Sequence, residues 1–154
     1  MELYPSLLTR LETQHSVVRQ LLEQTPPEII NTPADSGKWS IHDQVAHIAR
    51  YQSVFTERVQ SMLRFDTPAF DRYNAELDSE FETWRSMDLF MVLSQLDHDR
   101  SFLYQQITSL TAEDLARCGE HPRFGKMDIP LWTEFFLLHE AHHLYSIFQL
   151  ARHV

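Results

Sequence analysis

Two histidines one helical turn apart, His139 and His143, lie in a strongly apolar segment of the chain. Residues i and i+4 of a helix project from the same face, so these imidazoles could bind one divalent ion, at about 2.0–2.1 Å for zinc. Two ligands leave such a site incomplete, and a third must come from another element. His47 is the best candidate, because an imidazole among apolar side chains needs a hydrogen-bond or metal partner, at a cost of about 1–3 kcal/mol if it has none. Its sequence neighbours are Val45, Ala46, Ile48 and Ala49.

The other six histidines are weaker candidates. His15 lies on an apolar face and could assist the site, although a core histidine with a hydrogen-bond partner is the ordinary interpretation. His142 points away from the midline of His139 and His143. We expect His42 to be exposed in the first turn of its helix. The remaining three, His98, His121 and His153, are predicted to be loop or surface residues.

The sequence His139-Glu140-x-x-His143 also matches the H-E-x-x-H motif of zinc peptidases, in which the glutamate is the general base. The longer form of that motif requires glycine at position 146 and histidine at position 149, where this chain has Ser146 and Gln149. The four residues from Ala151 onwards contain no glutamate that could act as a third ligand. A zincin-like metallopeptidase is therefore a remote alternative.

Apolar residues at intervals of three and four predict the helices that would position these histidines. The first helix covers residues 3–23 and ends before two prolines, and a long crossover with short helical pieces covers residues 64–85. The second helix begins at Ser40, with a capping box to Asp43, and continues to residue 62. The third follows Ser86, and the last begins at Pro130, a residue suited to a first helical turn.

These elements predict an all-α fold, a four-helix bundle with a long crossover between helices two and three, in a single domain over residues 1–154. A short capped turn is expected at Thr111–Asp114. We expect residues 119–125 to form a loop.

The composition excludes several classes of function. The formal net charge is −9, from 22 acidic and 13 basic residues, which disfavours nucleic acids and anionic membranes. No glycine-rich phosphate-binding motif is present. The single cysteine, Cys118, excludes an internal disulfide and fits a reducing compartment. With no visible signal peptide and no apolar run of the required ~18–20 residues, we expect a cytoplasmic protein.

Three segments in combination resemble the DinB/YfiT-like metalloenzyme superfamily. They are Trp39-Ser-Ile-His-Asp-Gln-Val-Ala-His47, Gly119-Glu-His-Pro-Arg-Phe-Gly125 and His139-Glu-Ala-His-His-Leu144. The resemblance implies a four-helix bundle that binds one divalent ion through His47, His139 and His143. It also implies a homodimer and chemistry like that of bacterial thiol S-transferases, which act with low-molecular-weight thiols.

Three imidazoles leave coordination positions open, which is typical of a catalytic site. Our leading hypothesis is a metal-dependent enzyme in which the ion lowers the pKa of a bound thiol or water, for S-transfer or hydrolysis of a small-molecule substrate. Glu140 is the candidate catalytic base, a partner of a histidine N–H, or an ordinary surface charge. Zinc, nickel and iron are the favoured ions. The alternatives are a non-catalytic metal-binding or interaction module and a metal-free bundle whose histidines pair with carboxylates.

Overall fold

In the computed structural model, which describes residues 2–33 and 39–152, the N-terminal apolar stretch forms two helices rather than one. Helix α1 covers Pro5–Thr13 and α2 covers Val17–Glu23, with a 3-10 turn at Gln14–Ser16 between them. The prediction of one continuous helix was wrong at this turn, where the side chains of Gln14 and His15 reach a buried polar cluster. A short helix, α3, follows at Pro27–Ile30. His153, predicted to be a loop or surface residue, lies outside the described residues.

Helix α4, Ile41–Arg64, begins as the capping pattern predicts. The backbone N–H of Asp43 donates to the Ser40 hydroxyl at 3.1 Å, and the N–H of Ser40 donates to the Asp43 carboxylate at 2.8 Å. Both bonds satisfy backbone donors that the first turn of a helix leaves free. The start of the helix that carries His47 is therefore determined locally.

The crossover packs aromatic side chains over α4. It contains a 3-10 turn at Ala75–Leu77 and helix α5 at Ser79–Ser86. Phe81 is buried against Ala46 and the ring of Trp39. The predicted crossover with short helical pieces is confirmed.

The second half of the chain supplies the other two long helices. These are α6, Leu89–Thr108, and α8, Ile129–Arg152, with the short helix α7, Ala112–Leu115, between them. Helix α4 packs against both long helices, while α1 and α2 together form the fourth column of the bundle. The predicted four-helix bundle is confirmed. No helix in the described part of the chain is long and apolar enough to cross a membrane.

The predicted loop at residues 119–125 is instead part of a β-hairpin. Strand β1, Cys118–His121, pairs antiparallel with strand β2, Gly125–Asp128. The turn is closed by His121, whose Nδ1 accepts the backbone N–H groups of Arg123 and Phe124 at 3.1 and 3.2 Å. Strands this short, with no apolar alternation, leave little periodic signal in the sequence.

His121 is therefore not the loop or surface residue that we predicted. It is 8% exposed and packs against the rings of Trp132 and Phe135. Its role in closing the turn accounts for its burial, because the ring nitrogen has backbone partners.

Candidate metal centre

The structure brings together the three histidines selected from the sequence. The Nε2 atom of His139 lies 3.4 Å from that of His47 and 3.2 Å from that of His143. The three ligand atoms all lie within 4.8 Å of one another, and no further histidine, cysteine or carboxylate of residues 2–33 and 39–152 joins the group. The arrangement joins the first half of α4 to the middle of α8.

All three imidazoles are neutral at pH 7. Burial is the largest cause in each case, and it lowers the pKa of His47 to about 4, of His139 to about 3 and of His143 to about 2. Proximity to one another lowers the pKa of His139 and His143 further. Neutral imidazoles present the lone pairs that a metal ion requires.

A hydrogen bond determines which nitrogen of His143 carries the proton. Its Nδ1 lies 2.7 Å from the side-chain oxygen of Gln44, which can only accept. With the proton on Nδ1, the neutral ring has a bare lone pair on Nε2, the atom that faces His139. Metal-binding histidines in general donate their second ring nitrogen in this way.

His47 is held differently. It is 4% exposed, and its Nδ1 is buried without a hydrogen-bond partner among the described residues. Aromatic rings surround it, with centroids 4.8 to 6.1 Å from its own; they belong to Trp39, Tyr51, Tyr73 and Phe81. This ring packing fixes the orientation of the imidazole in place of a polar partner.

Two of the three nitrogen separations fit a divalent ion. Two ligands of a tetrahedral zinc ion, each about 2.0–2.1 Å from the metal, lie about 3.3–3.4 Å apart. The two measured separations are 3.4 and 3.2 Å. Without an ion, the Nε2 of His139 can donate to His143 or accept from His47, but a single neutral ring nitrogen cannot do both. A cation between the three nitrogens would be attracted to every lone pair, so the residues present fit a three-histidine metal site.

Glu140 lies next to His139 in the sequence but is not part of this group. It is 2% exposed, and its carboxylate forms an ion pair with Arg100, which is 1% exposed. The Gln14 amide also donates to it, at 3.0 Å. The alternative of an ordinary surface charge is therefore wrong, and the carboxylate belongs to a buried polar cluster between α1, α6 and α8.

The remaining histidines do not join the three. His15 lies beside this polar cluster, with Nδ1 3.4 Å from Arg100 and Nε2 3.4 Å from Asp97. His142 is exposed, although its ring centroid is 5.2 Å from that of His143. His98 is exposed on α6, as expected of a surface residue. His42 is half-buried rather than exposed, with Nδ1 3.2 Å from the side-chain oxygen of Asn31.

Sequence reasoning missed two residues that shape the site. Gln44 lies three residues before His47, which places both on one face of α4, and this spacing could have identified it. Tyr73 lies in the irregular part of the crossover, with its ring centroid 5.8 Å from that of His47. No periodic pattern marks that residue, so only the packing of the crossover reveals it.

Comparison with known proteins identifies the family of this chain. YfiT from Bacillus subtilis, described as a probable metal-dependent hydrolase with an unusual four-helix bundle topology, superposes with a TM-score of 0.82; it is 22% identical over 96% of this chain and 85% of that chain. TT2238, described as a four-helix bundle protein, superposes with a TM-score of 0.64; it is 25% identical over 92% of this chain and 95% of that chain. A search of curated protein sequences finds no match. The family model of the DinB superfamily matches residues 10–147, nearly the whole chain, and this protein therefore belongs to the DinB superfamily.

Proposed function

We propose that this protein is a divalent-metal-dependent enzyme that acts on a small molecule, with His47, His139 and His143 as the metal ligands. The observation that carries the proposal is the convergence of three neutral imidazole nitrogens, with no fourth metal-binding side chain among the described residues. A three-ligand site leaves positions for substrate, whereas a structural site is normally closed by four protein ligands. The description of YfiT as a probable metal-dependent hydrolase supports the same class of chemistry.

The protein's own residues would contribute ligands, orientation and a dry environment. When bound, a divalent ion supplies Lewis acidity, which serves both thiol S-transfer and hydrolysis. Gln44 orients His143 and holds its proton on Nδ1. The ring of Tyr51, with its centroid 4.0 Å from that of His139, shields this imidazole from water.

Glu140 has two candidate roles in this proposal. The first is the general base of the sequence-based hypothesis. The second is a positioning residue, which acts through the ion pair with Arg100 to set the rotation of α8 and hence the direction of His139. The second role explains the burial of the carboxylate, and the two roles are separated by a substitution described in the Discussion.

Metal analysis of the purified protein tests the proposal. We expect one equivalent of a divalent ion in the wild type and none in a His47→Ala/His139→Ala variant, while His98→Ala, an exposed helical control, keeps the ion. At a free-metal concentration of 100 times Kd, zinc, nickel or iron(II) should stabilise the fold by about 2.7 kcal/mol and raise Tm by roughly 5–10 °C. A wild type without stoichiometric metal, and with the same Tm with and without these ions, would refute the metal site.

The reaction is tested with the metal-loaded protein. Low-molecular-weight thiols should be screened with generic electrophiles for S-transfer, and activated esters and amides for hydrolysis. We expect turnover in one of these two sets, and its loss in the His47→Ala/His139→Ala variant. A protein that binds metal but has no turnover in either set would favour the second candidate, a non-catalytic metal-binding module.

Homodimer formation and a cytoplasmic location stay predictions. Light scattering measures the oligomeric state.

A further inference from the structure

An open cavity of about 340 Å³ lies between the second half of α4 and the crossover. This volume falls within the range of about 300–1,000 Å³ typical of small-molecule sites. Tyr73 separates the cavity from the imidazoles, since it lines the cavity and its ring centroid is 5.8 Å from that of His47. The residues of the wall that matter here are Arg50, Arg58, Phe70, Asp71 and Arg72.

Arg58 is a buried cation without a carboxylate partner in the described part of the chain. It is 8% exposed, and no ion pair within residues 2–33 and 39–152 includes it. Its guanidinium donates to the backbone carbonyl of Asp71 at 2.8 Å and lies 5.4 Å from the ring centroids of Phe70 and Trp132. Buried charges are normally paired, and a guanidinium has five N–H donors. Arg58 therefore retains binding capacity for an anion.

Two other arginines show the contrast. Arg100 is paired with Glu140, and Arg50, although it also lines the cavity, is paired with Asp78 at 2.7 Å. Formal charges along the whole wall cancel, with three arginines against Glu57, Asp71 and Asp78. The attraction for an anion is therefore local to Arg58 and does not come from a general positive field.

Arg58 and the imidazole cluster are linked through Tyr51. The ring of Tyr51 lies 4.0 Å from that of His139 and 5.3 Å from that of Tyr73, between centroids. Burial raises the pKa of the Tyr51 hydroxyl, and the charge and hydrogen bond of Arg58 act in the opposite direction.

We propose that Arg58 binds an oxyanion group, carboxylate or phosphate, of a small molecule in this cavity. The proposal goes beyond the proposed function and does not depend on it. A planar guanidinium matches either oxyanion through two parallel N–H donors. Small molecules without a negatively charged group are then poor ligands for this cavity.

Titration of metal-free protein with inorganic phosphate and with succinate tests the anion site, with the Nε–H resonances of the arginines followed by ¹⁵N NMR. We expect saturable binding of at least one anion, with the largest shift at Arg58. In Arg58→Gln the affinity should fall at least tenfold, whereas Arg64→Gln, an exposed arginine on the same helix, should leave it unchanged. Whichever anion binds more tightly identifies the group as carboxylate or phosphate.

Two results would overturn the proposal: no saturable shift at Arg58 with either anion, or equal affinity in the wild type and Arg58→Gln. Should Arg58→Gln fail to fold, the wild-type spectrum alone decides, because the shift must fall on Arg58 rather than Arg64. The His47→Ala/His139→Ala variant should bind the anion as the wild type does, and Arg58→Gln should still bind metal. Failure of the anion site is thereby distinguished from failure of the metal site.

Discussion

At the scale of single residues, the contact between Gln44 and His143 determines which nitrogen of His143 can bind a metal ion. A neutral imidazole can carry its proton on either nitrogen, and only one tautomer presents a lone pair to the other two histidines. The 2.7 Å contact with the Gln44 oxygen selects that tautomer before any ion binds. The free-energy cost of placing the proton on Nδ1 of His143 is then incurred during folding rather than during metal binding.

We therefore expect Gln44→Leu to weaken metal affinity by about 10–100-fold, the range found when partners of metal-binding histidines are removed. Competition with a chromophoric chelator measures the affinity, and ¹⁵N NMR of the metal-free protein reads the tautomer. Gln44→Glu keeps an acceptor and should restore both properties. Gln60→Leu, at an exposed residue of the same helix, should change neither. An unchanged tautomer and affinity in Gln44→Leu would contradict the assignment of the proton.

At the scale of elements, two sides of α8 carry different polar groups with different partners. His139 and His143 face α4, whereas Glu140 faces the buried cluster of Arg100 and Gln14. Both sides are occupied by specific polar contacts, so the rotation of α8 about its axis is determined by two independent sets of partners. A helix held only by apolar packing could rotate or slide at lower cost.

Glu140→Gln should destabilise the fold by about 3–5 kcal/mol, because it leaves Arg100 as a buried cation without a counter-charge. The same substitution at Glu134, in a partly exposed pair with Arg10 on the same helix, should cost about 1 kcal/mol or less. Urea unfolding measures both.

The double variant Arg100→Met/Glu140→Leu should recover most of the lost stability, because it removes both charges together. It also separates the two roles of Glu140. Unchanged turnover in this variant would exclude both roles. Loss of metal affinity together with turnover assigns Glu140 to positioning of His139, whereas turnover that is lost while metal binding is retained assigns it to proton transfer.

At the scale of the whole molecule, the hairpin joins the crossover to the bundle. The backbone N–H of Phe70 donates to the carbonyl of Glu120 at 3.0 Å, and the N–H of Glu120 donates to the carbonyl of Pro68 at 2.9 Å. This close approach requires a residue without a side chain, because a Cβ atom at Gly119 would lie 2.5 Å from the ring of Phe70 and 3.0 Å from the sulfur of Met62. The crossover that covers His47 is thus anchored at a distant point.

Gly119→Ala should therefore destabilise the protein by about 1–3 kcal/mol, as expected of overpacking, with a fall in Tm of roughly 2–4 °C per kcal/mol for a chain of this size. Calorimetry measures the fall. Phe70→Leu makes room for the added methyl group, so Gly119→Ala/Phe70→Leu should lose less stability than the two single variants combined. Full additivity would show that the two residues do not compete for space.

The helices, the crossover and the pair His139 and His143 could be predicted from the sequence because each depends on local spacing, and His47 could be predicted from its apolar neighbours. Ser40 and Asp43 form a cap three residues apart, and His139 and His143 share a face because four residues make about one turn. The same locality explains the failures. The break at residues 14–16 and the hairpin closed by His121 depend on side chains that reach distant or irregular backbone, which no periodic pattern records.

Only the tertiary structure determined what these side chains contact. Gln44 and His143 are 99 residues apart in the chain, and Arg100 and Glu140 are 40 apart. Whether Glu140 faces solvent, an ion or Arg100 is decided by which side chains the neighbouring helices bring to that side of α8. That Arg58 has no carboxylate partner among the described residues follows likewise from which side chains surround it. Spacing along one helix is a property of the chain, whereas the partner of a charged group is a property of the packed molecule.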